Sequence, residues 1–161
     1  MFRPVDRAAL QDREDVLVYT AQPARQELIV AGSPRAELWV SADTPDADWV
    51  VKITIVAPDG TARAVSEGIL RSSFRESETN PNPIEPGKIY RVKIDLGHTA
   101  FALAPGHSLR VEIAASCFPM YDRNPNTGEG PFATTERKAR QRVYHSAKTA
   151  SRVILPVLTT R

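Results

Sequence analysis

The chain has 161 residues, 42% of them hydrophobic and 25% charged, with a formal net charge of +2 and a single cysteine. That length suggests one domain whose core forms without disulfides or a structural metal, and the composition excludes collagen, coiled coil and wholesale disorder. No run approaches the roughly 18 consecutive apolar residues of a membrane span, and a lone cysteine with no Asn-x-Ser/Thr sequon favours a cytoplasmic setting while leaving secretion open.

Residues 1–11 carry acidic Asp6 and lack the apolar stretch of a signal peptide. A short helix is expected near 6–11, within an N-terminal linker spanning 1–14. From residue 15 onward the apolar residues recur with period two in segments rich in Val, Ile, Tyr and Trp, which predicts strands. The expected strands are 15–20, 26–31, 35–42, 48–56, 61–65, 67–75, 89–95, 99–103, 108–116, 141–146 and 152–158. Turn signals separate them: Gly32-Ser33-Pro34, Asp43-Thr44-Pro45-Asp46, Pro58-Asp59-Gly60, Pro86-Gly87 and Pro105-Gly106. The clearest hairpin is 48–65, where Trp49, Val51, Ile53 and Ile55 alternate with Val50, Lys52, Thr54 and Val56 before Pro58-Asp59-Gly60. Ten or eleven strands without βαβ alternation fit an all-β sandwich of two antiparallel sheets occupying 15–161.

Two long connections break the regularity. Residues 76–87 carry three prolines, and residues 118–137 combine aromatics with Asp, Arg, Asn and Gly. Loops of this length in a compact domain usually bind something or lack order, so function is expected there. The first also reads as a Pro-stiffened exchange between sheets. In the second, Asp122 and Arg123 have the chemistry to pair, and Asn124 and Asn126 to bond turn amides. Its aromatics Phe118, Tyr121 and Phe132 would form a docking or sugar-stacking surface if exposed, and pins for the loop if buried.

Recognised catalytic patterns are sparse. Gly106-His107-Ser108-Leu109-Arg110 approaches the G-x-S-x-G nucleophile elbow but lacks the final glycine, and Leu109, Val111 and Ile113 continue it as a strand rather than a helix. His98, His107 and His145 have no metal-ligand grouping, and Cys117 has no partner at zinc spacing, so neither a metal nor a cofactor is expected. Residues 1–80 hold nine basic and thirteen acidic side chains, and residues 81–161 hold twelve and six, giving −4 against +6. The basic cluster Arg137, Lys138, Arg140 and Arg142 has no aromatic stacking series beside it, so it reads as a solvated strand entry rather than a nucleic-acid patch.

The order of segments carries more than any one of them. Asp15-Val16-Leu17-Val18-Tyr19-Thr20, the turn at 43–49, Gly68-Ile69-Leu70-Arg71 with Phe74-Arg75-Glu76, and Glu85-Pro86-Gly87 come first. Pro105-Gly106-His107-Ser108-Leu109-Arg110-Val111-Glu112-Ile113, Phe118-Pro119, Asp122-Arg123-Asn124-Pro125-Asn126-Thr127-Gly128 and the strand at 151–157 follow. From about Pro4 this succession resembles the C-terminal domain of the cocaine esterase/X-Pro dipeptidyl-peptidase (CocE/NonD) serine hydrolases. The resemblance implies a jelly-roll, galactose-binding-like sandwich. It also implies that the Ser-Asp-His triad belongs to a separate α/β-hydrolase domain absent from this chain, so no catalytic residue carries over.

The partner expected from the resemblance is that catalytic domain, in cis or in trans, with self-association through an exposed apolar face as a further expectation. The residues expected at the interface or substrate pocket are Arg71, Phe74, Arg75, Glu76, Phe118, Tyr121, Asp122, Arg123, Asn124 and Asn126. Arginine and aromatic side chains are the usual anchors of an interface; the competing reading is that these residues only hold their own loops. A free-standing carbohydrate-binding module is the alternative, and a small hydrolase built on Ser108 is a third.

Overall fold

The computed structural model describes residues 6–130 and 132–158. The expected start of the resemblance at Pro4, the outer ends of the 1–14 linker and the 15–161 domain, and Pro131 of the second long loop lie outside the described residues. Among the described residues a single α-helical turn, α1 (Ala8–Gln11), precedes ten strands: β1 (Val16–Thr20), β2 (Leu28–Gly32), β3 (Arg35–Ala42), β4 (Asp48–Val56), β5 (Ala62–Arg71), β6 (Tyr90–Asp95), β7 (Thr99–Leu103), β8 (Ser108–Ala114), β9 (Gln141–Tyr144) and β10 (Arg152–Ile154).

The strands form an antiparallel β-sandwich. One sheet has the order β1-β8-β4-β5; the other has β10-β3-β6, with β9 also pairing β3; β2 and β7 make a two-stranded ribbon. Trp49, Val51 and Ile53 of β4 and Ile113 of β8 meet Ala36, Leu38 and Val40 of β3 and Val92 and Ile94 of β6 in one buried core. Each Val, Leu or Ile among them contributes on the order of 1.5–3 kcal/mol through its burial. The single polar atom of Trp49 is satisfied there, its Nε1 donating to Ser72 Oγ at 2.9 Å.

The 48–65 hairpin forms as the alternation requires. Gly60 takes φ +89°, a left-handed value open to glycine, and Asp59 Oδ1 accepts the Thr61 amide at 2.9 Å. The strands expected at 61–65 and 67–75 are instead one continuous strand, β5, followed by the 3-10 turn Ser72–Phe74. Its register shifts by one residue opposite Ile53 and Thr54, leaving Val65 as the extra residue of a bulge. Val65 packs on the core and Ser66 Oγ donates to the Leu96 carbonyl, so two successive residues face inward and the alternation breaks within an unbroken strand. Beyond the bulge Gly68 lets the sheets approach closely: a Cβ there would stand 1.9 Å from the Asp95 carbonyl oxygen.

Ser108, the residue of the incomplete elbow, opens β8 as a buried strand residue paired with Val56. That placement corrects any reading of it as a nucleophile, since no strand-to-helix turn lifts its hydroxyl out of the sheet.

Candidate functional site

The outward side of the first sheet is not left to water. Along β4 the outward residues Asp48, Val50, Lys52 and Thr54 are all buried, because α1 covers one end of the sheet and the 118–137 loop runs to the other. At the α1 end, Glu112 of β8 accepts bonds from Arg7, from Gln11 Nε2 at 2.7 Å and from Thr54 Oγ1 at 2.5 Å. Burial alone would raise the Glu112 carboxyl, but the Arg7, Thr54 and Gln11 hydrogen bonds outweigh it and hold the group below its usual value. In the middle, Lys52 pairs with Glu67 of β5. Tyr121 lies near them, its hydroxyl pushed up by burial and then by the Glu67 charge.

At the loop end, β4 begins and β5 ends at a register pair, Asp48 with Arg71. Arg71 grips the buried Asp48 carboxylate with both arms, Nε to Oδ1 at 2.8 Å and Nη2 to Oδ2 at 3.0 Å. Asn124 Nδ2 donates to the same Oδ1 at 2.7 Å, and Arg71 Nη2 reaches the Asp122 carbonyl at 3.3 Å. The hydrogen bond and charge of Asp48 raise the Arg71 guanidinium above its ordinary value. Asn124 Oδ1 accepts the Asn126 amide at 2.8 Å, an Asx turn that sets Asn126 at φ +62°. Asn126 Nδ2 donates to the Arg137 carbonyl at 2.8 Å and the Arg137 amide to the Pro125 carbonyl at 2.9 Å, closing the base of the loop. Arg123 pairs with Glu136 across that base, not with Asp122 as expected, adding an exposed ion pair to the bonds that close the loop.

A second anchor sits two residues earlier. Buried Asp46 accepts the amides of Ala47 and Ser73 at 3.0 and 2.9 Å and the Ser73 hydroxyl at 3.0 Å. The Asn82 amide donates to the Ser73 carbonyl, and Arg75 Nη1 to the Ser72 and Asn82 carbonyls, so the 76–87 loop hangs from the same corner. The two long loops touch: a Cβ on Gly128 would meet Pro45 at 3.1 Å and Pro83 at 3.6 Å.

Most residues singled out in the sequence therefore converge at one end of the sandwich. Arg71, Asp122, Asn124 and Asn126 gather around Asp48. Phe74, Arg75 and Glu76 line a groove with Arg71 at the edge of β5. Phe118 stands apart, 67% exposed, beside Leu10 at a pocket that also includes Cys117 and Lys52. Met120 is 50% exposed and Phe132 94%. Sequence reasoning missed Asp46, Asp48 and Met120 as site members; the available signal was two aspartates at alternate positions leading into the most apolar strand, where a carboxylate needs a partner. Among the described residues no group of three His, Cys, Asp or Glu side chains is placed to hold a metal ion, and none of the described helices is long and apolar enough to cross a membrane.

The polar bonds of this corner tether the 118–137 loop, and Phe118, Met120 and Phe132 of that loop are exposed. Residues 3–154 match the family described as X-Pro dipeptidyl-peptidase C-terminal non-catalytic domain. The cocaine esterase of Rhodococcus sp. (strain MB1 Bresler) is 38% identical over 159 residues, covering 96% of this chain and 28% of the esterase. An aminopeptidase structure from a marine sediment Thaumarchaeota archaeon superposes with a TM-score of 0.92 at 35% identity, covering 97% of this chain and 28% of that one. An alpha-amino acid ester hydrolase gives 0.91 at 34% identity, covering 96% and 27%. The chain thus spans little more than a quarter of the length of the relatives it matches.

Proposed function

The chain belongs to the X-Pro dipeptidyl-peptidase C-terminal non-catalytic domain family, the β-sandwich domain of CocE-type hydrolases, and from that premise we propose that it packs on an α/β-hydrolase catalytic domain and helps to wall that domain's substrate pocket. The serine chemistry belongs to the partner. The jelly-roll, galactose-binding-like winding of the sandwich, its span of 15–161 after an N-terminal linker, and a cytoplasmic setting are parts of the same proposal.

One observation carries the reading. The 118–137 loop is tied down through Asp48, Arg71, Asn124 and Asn126, yet it turns Phe118, Met120 and Phe132 outward. A loop whose apolar side chains served only its own stability would bury them. Holding it in place while exposing them lowers the ordering cost of association, which is what preorganisation contributes to an interface. In this arrangement the Asp48 corner positions the loop, Phe118, Met120 and Phe132 supply apolar contact, and the groove beside Phe74, Arg75 and Glu76 supplies polar contact.

The test is co-expression of this chain with the Rhodococcus cocaine esterase truncated before its matched segment. The proposal predicts a complex that co-purifies and has more esterase activity than the truncated enzyme alone. It is overturned if both proteins are folded and soluble and do not associate. The sugar-binding alternative makes the opposite forecast: saturable binding of an oligosaccharide by the chain alone, lost in Tyr121→Ala or Phe132→Ala.

A further inference from the structure

Four arginine forks in this fold hold carboxylates, and the buried fork of Arg75 does not. Arg7 grips Glu112, Arg13 grips Asp15, Arg71 grips Asp48 and Arg152 grips Glu37, each through the Nε and Nη2 edge. That edge is the one a carboxylate occupies side-on with two parallel hydrogen bonds. In Arg75 that edge makes no hydrogen bond. Nε of Arg75 is, among the described residues, the one buried side-chain nitrogen or oxygen without a hydrogen-bond partner, and Nη2 has only Glu76 Oε1 at 3.5 Å.

The side chain is held rigidly all the same. It is 8% exposed, its Nη1 donates to the Ser72 and Asn82 carbonyls, and its guanidinium lies 4.8 Å from the centroid of the Tyr90 ring. An unpaired buried donor is costly, so a fold that keeps one in a fixed orientation holds a site ready for an acceptor. Arg75 lines a groove of about 600 Å³ together with Ile69, Leu70, Phe74, Glu76 and Lys93. Lys93 has no ion-pair or hydrogen-bond partner among the described residues, and so adds an uncommitted cation to the groove.

We propose that the Arg75 fork is a carboxylate-binding site, occupied by an acidic side chain of the polypeptide that docks along β5, with Lys93 as a second cation and Phe74 as the apolar floor. This rests on the reading of the chain as a docking domain and names the chemistry of what docks. The Glu76 carboxylate, 63% exposed and 3.5 Å from Nη2, is the internal competitor that an incoming acid displaces.

The test follows the arginine Nε–Hε resonances of the ¹⁵N-labelled chain during titration with N-acetyl-aspartate amide, using N-acetyl-asparagine amide as the neutral control. The Arg75 signal is identified by its loss in Arg75→Lys. A saturable downfield shift of that signal is expected with the acid only. It persists in Glu76→Gln, and the affinity falls about two- to fivefold in exposed Lys93→Gln, the range of one exposed ion pair. Should Arg75→Lys fail to fold, the Arg75 signal is assigned by through-bond correlation from its own backbone amide, and these two variants carry the test. No shift, an equal shift with the neutral control, or a signal already downfield in the free chain that moves back in Glu76→Gln overturns the proposal. Because the probe is a small molecule, failure here leaves association with a catalytic domain standing, and failure of that association leaves this result readable.

Discussion

Replacing Asp48 by Ala removes an acceptor that two strands and a loop share. Arg71 would keep its burial and lose both bonds, and Asn124 would lose its hold on the sheet. Breaking a largely buried pair from one side costs about 3 kcal/mol, so Asp48→Ala should lower the unfolding free energy by that order in a urea titration. It should also speed hydrogen exchange across 122–137 while leaving β8 protected. Glu37 contributes to the acid behaviour. Hydrogen bonds from Arg91 and then Arg152 lower its carboxyl from 4.5 to about 2. A depressed carboxylate contributes stability that is complete above its unfolded value and is lost as pH falls through its folded one. Stability should therefore decline between about pH 4.5 and 2, and Glu37→Gln should flatten that slope in urea titrations across the window.

At the scale of elements, β3, β4 and β7 start and stop where alternation and turn residues predict, because each has one face on the core and ends at a glycine or proline turn. β5 was misread as two strands because its bulge puts Val65 and Ser66 on the same face, and period-two reading has no means of telling a bulge from a gap. The candidate site was half legible. Asn124 and Asn126 are visible as residue types in an unusually long loop and Arg71 within the Gly68-Ile69-Leu70-Arg71 segment, whereas Asp46 and Asp48 become meaningful only when pairing brings the start of β4 beside the end of β5. Arg123 was visible but given the wrong partner, since Glu136 lies thirteen residues away and only loop closure makes them neighbours. Gly68 tests the packing of β5. Its absent Cβ is what lets the Asp95 carbonyl approach, so Gly68→Ala must push the sheets apart at that edge and should cost about 1–3 kcal/mol in thermal or urea unfolding.

Across the whole molecule, the 118–137 loop combines exposed Phe118, Met120 and Phe132 with a backbone anchored to the first sheet through Asp48, Arg71 and Asn124. Phe118, Met120 and Phe132 are exposed and contribute little to the core. The triple variant Phe118→Ser, Met120→Ser, Phe132→Ser should melt within a few degrees of the parent and lose association with the catalytic part at least tenfold, as hot-spot truncation does. The most direct measurement is hydrogen exchange of the chain alone and in complex with that catalytic part. Protection concentrated at 71–76 and 118–137 is the predicted result; a complex that protects other surfaces and leaves those two segments unchanged would contradict the account.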